Sequence, residues 1–216
     1  YDKAKSLWLQ QTKAQETNAT VLGNAANFFL IHDREIAKDL LEKAQDLEPE
    51  NPEWPEKLGH LHSLGLLGTS GQTKTELASE SFKQLEKSYA AAPSDQDKFY
   101  KLADLAKMAY EAGNLQKAET YANDLLAQAD HYKNDWNYGN AIHHGNLIVG
   151  RIALKSDNVE KAKHHLILAG KTPGSPQLNS FGPNMALAKE LLEQNERDTV
   201  LQYFELCGNF WKMGQI

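Results

Sequence analysis

The sequence predicts an all-α protein built from helix pairs, on three observations. Stretches of strong helix formers recur between Gly, Pro and Asn breakers. A small residue on one helix is answered twelve positions later by another on the next, as Ala25 with Ala37, Ala106 with Ala118 and Gly150 with Ala162. Residues 18–51 form one complete helix-turn-helix unit of 34 residues, with Ala25 and Phe28 on the first helix, Ala37, Leu41 and Ala44 on the second, and Pro49 at its close. Small residues let two backbones approach, an aromatic fills the groove between them, and Pro ends a helix because it has no N–H to continue it.

Taken in order, residues 1–17 read as a leading helix, with Leu7, Trp8 and Gln11 at helical spacing, and Trp8 is expected to pack on the first pair. The second pair, 52–93, opens with Asn51 or Glu53 as cap and Pro55 in its first turn. Its halves are pushed apart, since Gly59 to Ser81 spans 22 residues where Ala25 to Ala37 spans 12. A flexible loop over Gly65–Thr73, with Thr75 as the following cap, accounts for the insertion of roughly ten residues. The third pair, 94–130, turns at Gly113-Asn114, where a left-handed backbone is needed. The fourth, 136–171, follows a linker over His131–Gly139. The last, 181–212, holds Ala188 and Val200 at the paired positions, and Phe204, Phe210 and Trp211 are expected to seal its end. The connection KTPGSPQLNSFGPN before it carries two Gly and three Pro and reads as non-helical.

This pattern resembles the tetratricopeptide repeat family, most closely over residues 18–51. The first-helix residues Ala25, Gly59, Ala106, Gly150 and Ala188 stand 34, 47, 44 and 38 apart, so only the first interval equals the family period. The resemblance implies an α-α superhelix of about five antiparallel hairpins forming a single domain over 1–216. It implies a non-enzymatic scaffold for another protein or peptide, with first helices lining a concave groove.

A formal net charge of -6 and a pI near 5.8 argue against a general nucleic-acid partner, which would need excess Lys and Arg to neutralise phosphates. No run of 18 or more apolar residues exists, so no membrane insertion is expected. The chain opens at Tyr1 with neither Met nor a signal-like segment, which fits a cytoplasmic protein or one exported with a trimmed leader. The single cysteine, Cys207, excludes an internal disulfide and reads as a buried, inert thiol.

One pattern suggests a site. In four pairs the small residue is followed at once by a basic or titratable one: Gly59-His60, Ala106-Lys107, Gly150-Arg151 and Ala188-Lys189. One residue further round the helix turns a side chain by about 100°, away from its own hairpin partner. His60, Lys107, Arg151 and Lys189 therefore read as a positive ladder suited to an acidic peptide, with Tyr110 and His144 on the same face as stacking or hydrogen-bonding groups. The adjacent histidines His143-His144 and His164-His165 and the pair His60 and His62 lack the i, i+4 spacing with which one helix chelates zinc. Neither metal nor cofactor is expected, and no catalytic signature is found. Two rival readings stand beside the groove: an assembly module docking through Trp8, Phe210 and Trp211, and a metal-dependent sensor or enzyme built on residues 131–144 with Trp136 and Tyr138.

Overall fold

The computed structural model describes residues 1–212. Among them the chain is all-α: twelve α-helices and one 3-10 turn, with consecutive helices packed in pairs and no strand. The chain divides into two compact units, Tyr1–Lys98 and Phe99–Ile216.

The first unit holds α1 (Asp2–Ala14), α2 (Ala19–Phe29), α3 (Arg34–Leu47), α4 (Glu53–Leu64) and α5 (Gly71–Ala90). Asn18 starts α2 by accepting a bond from the Val21 amide, satisfying a donor that the helix cannot. Ala25, Ala37 and Ala44 are fully buried where α2 and α3 meet, as their spacing predicts, and Phe29, Leu22, Leu41 and Leu58 fill the core around them. Trp8 packs against the ring of Phe28, as expected. Gly23 admits the Trp54 ring, which lies 2.3 Å from where a Cβ would stand, and the Trp54 indole N–H donates to Glu48 at 2.8 Å.

Gly59 and Ser81 meet despite the long insertion. The Ser81 hydroxyl donates to the Gly59 carbonyl at 2.7 Å. The expected loop over 65–73 is present but shorter, covering 65–70, and Thr75 does not cap. Helix α5 begins at Gly71 after Ser70, and Thr75 lies inside it. Gln72 explains this, since its amide bonds Glu76 one turn on and extends the helix backwards.

The second unit holds α6 (Asp95–Glu111, whose start lies in the first unit), α7 (Leu115–Ala129), a 3-10 turn at Asp130–Tyr132, α8 (Tyr138–Lys155), α9 (Val159–Gly170), α10 (Pro176–Phe181), α11 (Ala186–Glu193) and α12 (Arg197–Cys207). Gly113 takes φ +81 in the predicted turn and Asn114 caps α7. Ala106, Ala118, Gly150 and Ala162 are all buried, with the Ala162 carbonyl 3.4 Å from where a Cβ on Gly150 would stand.

Residues 171–185 form a strap rather than an unstructured connection, and α10 corrects the non-helical expectation. Ser175 caps it and Pro176 occupies its first turn, the one place where a helix tolerates Pro. The last pair is shorter than predicted, starting at Ala186. Phe210 is buried and Trp211 packs beside it against Gly182, but Phe204 is 46% exposed and seals nothing. Spacing alone put Phe204 with them, while the turn after Cys207 carries Phe210 and Trp211 back onto the core. Phe210 is taken up by the core and Trp211 packs partly buried against it, while Trp8 packs on Phe28 and also lines an open groove along α1 with Leu7 and Gln11. No helix among the described residues is long and apolar enough to cross a membrane.

Candidate functional site: the first-helix face of the second unit

Two first helices run side by side in one direction. At one end Tyr100 of α6 donates to Asp135 just before α8 at 2.6 Å, and its ring lies 5.6 Å from that of Trp136. Ten residues on, Tyr110 and Glu111 of α6 meet Arg151 of α8. Asp104 and Lys107 act on His144 between these ends. Sequence spacing thus places one strip of side chains along both helices, and Trp136 at its end is half exposed.

Four predicted residues fall on this strip or its edge, and one of them behaves differently from expectation. Arg151 is not a free rung. Its guanidinium binds Glu190 of α11 through two nitrogens, at 2.7 and 2.9 Å, and Glu111 of α6 at 3.0 Å, while lying 4.1 Å from the Tyr110 ring centroid. Burial pulls the Arg151 pKa down, but Glu190 and Glu111 more than restore it and leave it above the ordinary value. The rotation of 100° did turn Arg151 away from α9, but towards carboxylates on both neighbouring first helices. Tyr110 stacks as anticipated, yet on the protein's own cation. It is 4% exposed, and burial pushes its phenol up to about 12. His144 is half-buried, and burial lowers its imidazole pKa, with Asp104 raising it and Lys107 lowering it further.

Lys107 and Lys189 are exposed, as the ladder requires. Lys189 reaches Glu193 only loosely, at 3.9 Å with its side chain 77% exposed. His60 is exposed on α4 and belongs to the first unit.

Sequence reasoning missed Lys155, Glu111 and Glu190. Lys155 stands one turn after Arg151 with its ammonium 4.5 Å from the Tyr110 ring centroid. Glu111 lies four residues after Lys107 and so on its face, whereas Glu190, next to Lys189, is turned about 100° from it, and neither spacing shows that both close on Arg151. Together Tyr110, Arg151, Leu154, Lys155, Glu190 and Glu193 line a cleft of about 310 Å³. Its floor is the ion cluster of Arg151 and Glu190, and Lys155 and Glu193 are its remaining charges, with Lys189 beside Glu193 outside it.

Cys207 is 2% exposed and burial pushes its thiol up to about 11, which keeps it protonated and unreactive at neutral pH. No group of three or more His, Cys, Asp or Glu among the described residues is placed to hold a metal ion. Compared with models of known protein families and with curated proteins, the chain matches none.

Proposed function

We propose that the chain is a non-enzymatic scaffold of the tetratricopeptide kind, and that its second unit holds a segment of another protein against the strip between α6 and α8. One observation carries this reading: α6 and α8 run parallel and carry one row of side chains, from Tyr100 and Trp136 past Lys107 and His144 to the cleft at Lys155. Rigid helices offer such a row at little ordering cost on binding. The strip from Tyr100 to Glu111 covers twelve residues of helix, about 16 Å from first to last, enough for roughly five residues of an extended segment.

The acidic preference of the ligand rests on Lys107, Lys155 and Lys189, because Arg151 is neutralised by its two carboxylates. These three lysines lie on or beside the strip. Side chains such as Asp or Glu in the segment would pair with them, and an aromatic or aliphatic one would stack on Trp136.

Selection of peptides from a displayed random library against the intact protein tests the reading. Peptides enriched in Asp and Glu should emerge and lose at least tenfold in affinity against a Lys107→Glu, Lys155→Glu, Lys189→Glu variant that keeps its helical circular dichroism. Equal affinity for both proteins, or selection of no peptide, would count against it.

A further inference from the structure

We propose that the 171–185 strap is an acid-released latch on the second unit, with His143 of α8 as its trigger. The strap is held by an unusual concentration of buried polar groups. Of the buried polar side chains among the described residues, Asn137, Asn140, His143, Thr172 and Ser175 all stand at this one place. Thr172 donates to the Gly139 carbonyl at 2.7 Å, Ser175 to the Asn140 side chain at 2.5 Å, and Asn140 to Gln177 at 3.2 Å. Gly139 and Gly174 bring two backbones together so closely that a Cβ on Gly139 would stand 1.8 Å from the Gly174 carbonyl oxygen. These groups are all uncharged amides and hydroxyls, so their bonds are the same at pH 5 as at pH 7.

His143 is different. Its ring is fully buried, with Nδ1 3.1 Å from the Ala169 carbonyl and Nε2 accepting the backbone N–H of Asn184 at 3.1 Å. Those two partners fix the tautomer: Nδ1 carries the hydrogen and Nε2 is the acceptor. A proton arriving at Nε2 would face an N–H and break the bond that holds Asn184. The titratable groups that face the ring offer no relief. They are His144 beside it at 5.2 Å, Tyr203 of α12 stacked at 6.5 Å, and Cys207 behind Tyr203, with no carboxylate among the groups acting on it. Burial and the neighbouring His144 push the His143 pKa down to about 3, so the closed latch excludes the proton and the open one admits it.

Opening exposes the imidazole to water, where its ordinary pKa is about 6.5. Acid therefore favours the open form as pH falls below that value. The ratio of open to closed rises by a factor of about 30 between pH 7.5 and pH 5.0 for one such group. What opens is the strap and its apolar underside, Leu178 and the face of Phe210 packed on Gly174.

Native-state amide hydrogen exchange across pH 5.0 to 7.5, corrected for intrinsic rates, tests the latch. Amides of the strap, including Leu178, Gly182 and Asn184, should lose protection by about 30-fold at the acid end, well beyond any loss in α7. In a His143→Gln variant that dependence should vanish. Tyr203→Phe, which removes the phenol's bonds to the Asn184 carbonyl and to the Cys207 thiol but leaves His143 in place, should lower strap protection at every pH and leave its pH dependence intact. Strap and α7 amides losing protection together, or a pH dependence that survives in His143→Gln, would overturn the proposal. If His143→Gln fails to fold, the comparison of strap with α7 in the unaltered and Tyr203→Phe proteins decides it.

Discussion

Replacing Arg151 by Met removes the cation around which three first helices are organised. The side chains of Arg151, Glu111 and Glu190 are 16%, 14% and 30% exposed, so the cluster is largely but not fully withdrawn from water. Breaking a buried ion pair by deleting one partner costs about 3–5 kcal/mol, mostly through the charges left behind. Partial exposure here, and the apolar packing that Met retains over Tyr110, bring the expectation to about 3 kcal/mol. The two carboxylates then lose the guanidinium that bridges them. Neutralising them as well, in Arg151→Met, Glu111→Gln, Glu190→Gln, should return stability to within about 1 kcal/mol of the unaltered protein, because a well-packed neutral cluster can replace a buried ionic one. Urea unfolding followed by circular dichroism reads both, and a loss of about 3 kcal/mol moves the midpoint by roughly 1–2 M. A single variant costing under about 0.5 kcal/mol, or a triple variant no more stable than the single one, would refute the view that uncompensated charge is what the guanidinium prevents.

Three further outcomes are expected. Gly139→Ala should cost about 3 kcal/mol in thermal or urea unfolding, since the new methyl meets the Gly174 backbone, whereas Gly150→Ala, which meets the movable end of Leu187, should cost about 1 kcal/mol. Ser88→Ala should raise stability by about 1 kcal/mol in the same assay, because the Ser88 hydroxyl is buried with no hydrogen-bond partner. Unfolding free energy should fall with acidification below pH 6.5, as neutral buried imidazoles disfavour the native state once the unfolded chain takes up protons. His143, at about 3, contributes roughly 1.4 kcal/mol per pH unit, and His165, at about 4 through burial, adds to the slope. A slope in His143→Gln no shallower than in the unaltered protein would contradict that assignment.

The helix pairs were legible because their signal is local and repeated. Ala25 with Ala37 and Gly150 with Ala162 follow from the 3.6-residue period and the size of a methyl group, and even Gly59 finds Ser81 across an insertion. What escaped were features whose causes lie across the chain. Arg151 could be placed on the correct side of α8, but its partners Glu111 and Glu190 stand 40 and 39 residues away. The strap was hidden for the opposite reason. Gly and Pro in KTPGSPQLNSFGPN announce a break, and the order that replaces regular helix comes from Asn140, His143 and Tyr203, whose polarity within a helical pattern gives no clue to what they hold. Trp54 illustrates a middle case, since the slot it enters is cut by Gly23, a residue with no place in the small-residue register.

The length mismatch between α4 and α5 has a practical consequence. Helix α5 has 20 residues against 12 in α4, and its first two turns are almost wholly exposed. Eight surplus residues amount to about 12 Å of helix. That overhang bears little of the fold's weight, so the bend from Gly68 to Gly71, both with positive φ and with open space around them, is where a fluorescent domain or a protease recognition sequence can be spliced in while the Gly59–Ser81 clasp stays closed.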